Sequence, residues 1–269
     1  MRTKQLLLSW LFPDNRVALI RGSSGWAGYQ SVVLTWEGSS LLLDAPSPWV
    51  VRIDRRPVYD HAYVEERRRL ARHLPLPRFG IAHDGQVLME EQIEGGTSLL
   101  ALSEAEQVAV ARELLGRLAG LVRAERERQV GEPGHAAASR HAALLRVVPS
   151  LAGVAAAIDT RLPTAPLVSS HGDLKAKNVI VAEQITVVDV TPQSLSLRPF
   201  WDDALDLLTA SGGNGGLLRA LLRGDFEREL DELWRAAGLP ARSRLSSLEL
   251  ATARLTLSHM GNDARLIGA

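Results

Sequence analysis

The sequence predicts an α+β protein in two parts: a small β-rich N-terminal lobe with one helix, then a larger, mainly helical lobe holding a small sheet. Three observations carry this. Residues before Gly95-Gly96 are mostly short β-favouring runs separated by Gly- and Pro-containing turns. From Ser103 the chain turns rich in Ala, Leu, Glu and Arg. A short β interlude at 167–190 interrupts the helical half.

Each element follows in order. Val17–Ile20 is a short apolar run, and Gly22-Ser-Ser-Gly25 with Gly28 is a turn-rich loop. Ser31–Trp36 reads as a strand, turned by Glu37-Gly38 into Ser40–Asp44. Trp49–Ile53 is another strand, set off by Pro46 and Pro48. Tyr63, Glu66, Leu70 and Leu74 then recur at three- and four-residue steps, which predicts a helix over 60–74, ended by Pro75 and Pro77. Gln86–Met89 is one more strand. Ser103 with Glu106 three residues on is a capping box that opens a helix over 103–127. Residues 136–160 read as helical, and so does the chain from Pro199, in pieces split at Gly212–Gly216 and Gly238-Leu-Pro240.

Composition excludes several classes. Among the 269 residues Lys+Arg and Asp+Glu both number 31. The formal charge is therefore zero, and no basic excess exists to displace counterions from nucleic acid. Hydrophobic content of 46% excludes disorder as the main state. The absence of cysteine excludes disulfides, thiolate catalysis and Cys-ligated metal sites. No stretch approaches ~18 uninterrupted apolar residues, so no membrane partner is expected. The opening MRTKQLLLSWLFPDN is broken by Pro13, Asp14 and Asn15 without a clean small-residue cleavage site, and a cytoplasmic chain is expected. Only Lys4, Lys175 and Lys177 are lysines, and two of them lie in the motif that follows.

That motif runs Ser170-His171-Gly172-Asp173-Leu174-Lys175-Ala176-Lys177-Asn178 and continues through a β run to Asp189. Val179–Ala182 and Ile185–Val188 flank a Glu183-Gln184 turn. In a tight symmetric hairpin Ala182 faces Ile185 and Asn178 faces Asp189, with Cβ atoms roughly 4.5–5.5 Å apart. An amide and a carboxylate meeting at the open end of a hairpin make a hard-oxygen site suited to Mg²⁺. Asp173, in the loop entering the hairpin, is placed to accept or orient a hydroxyl proton during attack on a phosphate. Lys175 can set a positive charge near the transferring group.

His171-Gly-Asp173-x4-Asn178, then Asp189 at the end of an apolar strand, resembles the catalytic and metal loops of the aminoglycoside phosphotransferase / choline kinase-like family. The resemblance runs from about residue 16 to about residue 235 and implies a bilobal protein-kinase-like fold. It implies an N-terminal nucleotide-binding lobe over 1–94 and a C-terminal catalytic and substrate-binding lobe over 95–269. Arg21-Gly-Ser23-Ser24-Gly25 resembles the phosphate-covering loop. Leu88–Gly95 resembles the hinge, with Glu90 and Gln92 beside the nucleotide base. Leu115–Leu121 resembles the apolar helix before the catalytic loop. Asp203-Ala-Leu-Asp206 resembles the acidic element that braces that loop, with Asp206 the better match and helix capping the alternative for Asp202 or Asp203. His171 is expected to hold the loop rather than bind metal.

One departure stands out. The family carries lysine in the third strand of the first lobe; here Trp49-Val-Val-Arg52-Ile53 offers Arg52. Its helix partner is expected to be Glu66, on the Tyr63–Leu70–Leu74 face, rather than Glu65 beside Arg68, Arg69 and Arg72. Arginine binds phosphate in bidentate fashion but is larger and planar. Two readings follow. Arg52 clamps the phosphates of an active kinase, or it fills the pocket of a pseudokinase-like regulatory module. After Asp189 the chain reaches Phe200-Trp201-Asp202 too soon for a peptide-binding platform. The expectation is transfer from ATP or GTP, with Mg²⁺, to a hydroxyl of an aminoglycoside, sugar, amino sugar or amino alcohol. The acidic run Asp225, Glu227, Glu229, Asp231, Glu232 is either a solvated helix face or a surface for a cationic acceptor. The oligomeric state is left open.

Overall fold

A computed structural model describes residues 32–34, 38–42, 49–54, 57–128, 165–192, 195–209 and 215–251, with isolated positions at 153, 156 and 160. The Val17–Ile20 apolar run, the Ser23–Gly25 loop and nearly all of the helical region 136–160 lie outside these residues. The chain divides into two compact units. One takes residues up to Glu66 together with Leu76–Gly95; the other takes Arg67–Pro75 and everything from Gly96 on.

The first unit is built on an antiparallel sheet. Its strands are β1 (Val32–Leu34), β2 (Gly38–Leu42), β3 (Trp49–Asp54), β4 (Phe79–Ala82) and β5 (Val87–Glu91), in the order β1-β2-β3-β5-β4. β1 to β3 and β5 match the β runs read from the sequence. β4 was not among them. Asp84-Gly85 turns it into β5, and both residues take left-handed backbone, with φ of 52° and 87°. A Cβ at Gly85 would stand 2.9 Å from the Tyr59 carbonyl oxygen, so only glycine fits there. The Gly85 carbonyl in turn accepts from the amides of Val58 and Tyr59, at 3.0 and 2.9 Å. Helix α1 (His61–Leu70) starts at Asp60, whose Oδ1 accepts from the Tyr63 amide at 2.9 Å. Tyr63 and Leu70 are buried, as the periodicity requires, and Tyr63 meets Tyr59 and Phe79 edge-on. The helix stops at Leu70, before the expected Leu74, because a turn replaces its last residues ahead of Pro75.

The second unit is organised around α2 (Glu104–Arg128). Its capping box forms as read: Glu106 Oε2 accepts from the Ser103 amide at 2.9 Å and from its hydroxyl at 2.6 Å. Ala111, Leu114, Leu115, Leu118, Leu121 and Val122 recur at helical spacing and are buried. Each buried leucine contributes about 1.5–3 kcal/mol. This stripe packs α2 against α3 (Asp202–Thr209), α4 (Gly216–Arg223), α5 (Glu227–Ala236) and strand β7 (Leu167–Ser170). α3 is buried on every side. Phe200, Trp201 and Trp234 form an aromatic cluster beside it, the two indoles stacked at 5.9 Å.

Two small antiparallel sheets complete this unit. β7 pairs with β10 (Ser196–Pro199), and β6 (Thr97–Ser98), β8 (Val179–Val181) and β9 (Ile185–Val187) form the other. β6 and β10 are additions to the sequence reading. No helix among the described residues is long and apolar enough to cross a membrane.

His73, in the turn after α1, lies near Glu125 and Arg72. Burial holds its imidazole below the ordinary value of 6.5; the Glu125 carboxylate opposes this and Arg72 adds to it. A group with a depressed folded pKa contributes stability that is present above the unfolded value and lost as pH falls through the folded one. Stability should therefore decline below pH 6.5, and His73→Gln should flatten that decline in denaturant midpoints taken from pH 7 to pH 5. Separately, Ser103→Ala should lower unfolding free energy by about 1 kcal/mol in urea titrations.

Candidate active site

β7 delivers the motif. Its last residue is Ser170, and the chain then makes a sharp turn at Gly172, whose φ is 73°. One side chain holds that turn. Asp203, in the first turn of α3, is buried. Its Oδ2 accepts from the His171 amide at 2.7 Å, and its Oδ1 from the Gly172 amide at 2.9 Å and the Ser170 hydroxyl at 2.8 Å. A buried carboxylate needs such donors, and three of them satisfy it. Asp203 thus braces the loop, where the resemblance had put Asp206 forward as the better match. Asp206, one turn on, is buried too, but the first helical turn is what meets the loop amides.

His171 is fully buried and links two loops. Its Nδ1 accepts from the Asp173 amide at 3.3 Å, and its Nε2 lies 3.1 Å from the Val188 carbonyl oxygen. Nδ1 accepting and Nε2 donating is the tautomer this network selects. The ring therefore ties the backbone at Asp173 to the residue preceding Asp189. This is a holding role, and no cluster of three His, Asp or Glu side chains suited to a metal occurs among the described residues.

Asp173 is partly exposed and held on both oxygens. Lys175 Nζ is ion-paired with Oδ1, and Asn178 Nδ2 donates to Oδ2 at 3.2 Å and to the Asp173 carbonyl at 2.9 Å. Asn178 ends a single 3-10 turn, Ala176–Asn178, whose last amide bonds the Lys175 carbonyl at 2.8 Å. With Nδ2 spent on Asp173, the Asn178 Oδ1 is the oxygen left to a ligand.

The hairpin that follows is shifted from the expected register. Val179 pairs with Val187 and Val181 with Ile185, so Ala182, Glu183 and Gln184 form the connection, closed by the Ala182 amide on the Gln184 carbonyl at 3.1 Å. Glu183-Gln184 lacks the residues that adopt a two-residue hairpin turn, and a third residue is drawn in. The Asn178 carbonyl accordingly accepts from the Val188 amide, at 2.9 Å, and Asn178 is not directly opposite Asp189. Asp189 comes one residue later in left-handed backbone, φ 68°. Aspartate tolerates that conformation better than most residues, at a cost of order 1–3 kcal/mol.

The remaining expected residues fall as follows. Arg52 is mid-β3, paired with Ser40 and Leu88, and half-buried. Glu66 on α1 is half-buried with its Oε1 enclosed, whereas Glu65 is exposed. Both Arg52 and Glu66 belong to the first unit. Glu90 is buried on β5, and Gln92 follows the strand, its buried Oε1 without a hydrogen-bond donor among the described residues. Ser23, Ser24 and Gly25 lie outside the described residues.

The acidic run is matched by arginine. Asp225 pairs with Arg223 at 2.7 Å, Glu227 and Asp231 with Arg244 at 3.0 and 3.1 Å, and Glu229 with Arg228 at 2.6 Å. Glu232 faces Arg123 at 3.8 Å. These carboxylates are spent on the protein's own cations.

No protein-family model matches the sequence, and no curated protein matches it. Solved structures do match. Macrolide 2'-phosphotransferase type I superposes with a TM-score of 0.55 at 18% identity, over 99% of this chain and 92% of that one. The fold is that of the small-molecule phosphotransferases. Aminoglycoside 2'-phosphotransferase-IIIa in its GDP complex gives a TM-score of 0.52 at 13% identity, over 93% and 86% of the two chains. A choline kinase from Streptococcus pneumoniae gives 0.52 at 11% identity, over 96% and 87%. On this phosphotransferase fold the Asp203 brace should be indispensable to stability. Asp203→Ala would strand the buried His171 amide and Ser170 hydroxyl and leave the Gly172 amide on Ser170 Oγ alone, and should cost at least about 2 kcal/mol in denaturant unfolding.

Proposed function

We propose that this protein is a phosphotransferase that moves the terminal phosphoryl group of ATP or GTP, with Mg²⁺, to a hydroxyl group of a small molecule. The observation that carries the reading is the Asp173 carboxylate, set on a turn braced by buried Asp203 and oriented on its two oxygens by Lys175 and Asn178. A partly exposed carboxylate fixed this firmly suits an acceptor hydroxyl better than a structural role. The hydroxyl oxygen forms a bond to phosphorus, the bond to the departing nucleoside diphosphate breaks, and Asp173 orients the hydroxyl and takes its proton. Lys175 keeps a positive charge beside that carboxylate, where negative charge is handled during transfer.

Asn178 Oδ1 and the Asp189 carboxylate are the residues that would hold Mg²⁺. Both are hard oxygen donors, and an ion bound by one or two protein oxygens completes its shell from phosphates and water. When bound, the ion neutralises phosphate charge. The left-handed backbone of Asp189 fits a functional position, because strain of this kind gathers where ligands are held. In the first unit, Arg52 with Glu66 and the Ser23–Gly25 loop would handle the phosphates, and Glu90 and Gln92 the base. Two solved structures of this fold hold GDP, one of them with kanamycin as well, which supports naming GTP beside ATP and an antibiotic hydroxyl among the acceptors. The choline kinase likeness supports amino alcohols equally.

Arg52 in the place of lysine favours a second reading, a nucleotide-binding module without turnover. Calorimetry separates them. The phosphotransferase reading expects nucleotide binding that depends on Mg²⁺ and weakens at least about tenfold in Asp189→Ala. It also expects Asp173→Ala to lower turnover about 100-fold or more while nucleotide still binds. Binding without turnover, indifferent to Asp173→Ala, would establish the module instead.

A further inference from the structure

Ser170 opens the sequence motif but has no role in it or in the proposed mechanism, and its surroundings give it a task. It ends β7, is buried, and pairs with Ser196 of β10. Serine is a poor strand former, and a valine or threonine would pack such a position better. A buried hydroxyl is tolerated only when hydrogen-bonded. Here it is bonded twice: Oγ donates to Asp203 Oδ1 at 2.8 Å and accepts from the Gly172 amide at 3.0 Å. The Gly172 amide is shared with the same Asp203 oxygen at 2.9 Å. Ser170, Gly172 and Asp203 thus close a triangle around the one residue whose left-handed backbone aims Asp173.

We infer that Ser170 is a positioning residue for Asp173. Its hydroxyl is the one side-chain donor on Asp203 among the described residues. It fixes which way the carboxylate faces, and so which way both loop amides point. Removing it leaves the β7–β10 ladder and the His171 amide bond in place. The loss falls on Gly172, one residue before Asp173. The function assigned to this geometry rests on the phosphotransferase reading; the geometry itself does not.

Amide hydrogen exchange by NMR on the full chain reads the triangle without any need for turnover. In the wild-type protein the His171 and Gly172 amides should exchange slowly. In Ser170→Ala, Gly172 should exchange at least about tenfold faster relative to the amides of β7, with Ser170→Thr restoring protection. Unchanged Gly172 exchange in Ser170→Ala would overturn the inference. Turnover is read with MgATP and MgGTP against kanamycin, a macrolide and choline. Where the wild type transfers phosphate, Ser170→Ala should lower kcat about tenfold with KM for nucleotide within about twofold, and Ser170→Thr should recover kcat. An unchanged kcat would refute positioning. A wild type inactive toward every acceptor counts against the phosphotransferase reading, while exchange still decides the role of Ser170.

Discussion

A single buried carboxylate organises this protein's candidate site. Asp203 comes from a helix enclosed on every side, so its position is set by the core rather than by the loop it serves. Ordinary physical chemistry forbids leaving such a charge without donors. The loop supplies them, two backbone amides and one hydroxyl, and in doing so takes a shape it could not hold alone. Gly172 in left-handed backbone is the consequence, and Asp173 emerges from it facing Lys175 and Asn178. His171 extends the same frame to the strand before Asp189. A core constraint at one end thus becomes the placement of a partly exposed carboxylate at the other.

The geometry of the motif was legible in sequence where it is local. Asp173, Lys175 and Asn178 lie within six residues of one another, and the loop brings them together. The capping box at Ser103 and the inward face of α1 were legible for the same reason, since both depend on three- and four-residue periods. Features set by distant chain were not. Which of the three aspartates on α3 takes the loop amides depends on how that helix meets β7, and Asp203 in its first turn does so. The hairpin register moved by one because the turn recruited a third residue, a choice settled by backbone conformation rather than by the apolar pattern. β6 is two residues long and exists only because β8 pairs with it. β4 is different: Asp84-Gly85 between two apolar runs is a hairpin signal that the sequence did contain.

The arginine-rich composition shapes more than position 52. In the second unit each carboxylate of the acidic run has an arginine beside it, from α2, α4, α5 or the segment after α5, and Arg244 also lies 5.1 Å from the Trp234 ring. Arg52 belongs to the same preference for arginine, and its planar, permanently charged head can meet a phosphate on two oxygens.

The most direct test of the account is product detection rather than nucleotide consumption. The chain would be incubated with MgATP or MgGTP and a mixture of kanamycin, a macrolide, choline and amino sugars, and the acceptors then weighed by mass spectrometry. The account predicts that one acceptor gains a single HPO3 unit, and that the gain disappears with Asp173→Ala. A gain of HPO3 that persists in Asp173→Ala would contradict it, because the transfer would then owe nothing to the carboxylate that the fold is built to hold.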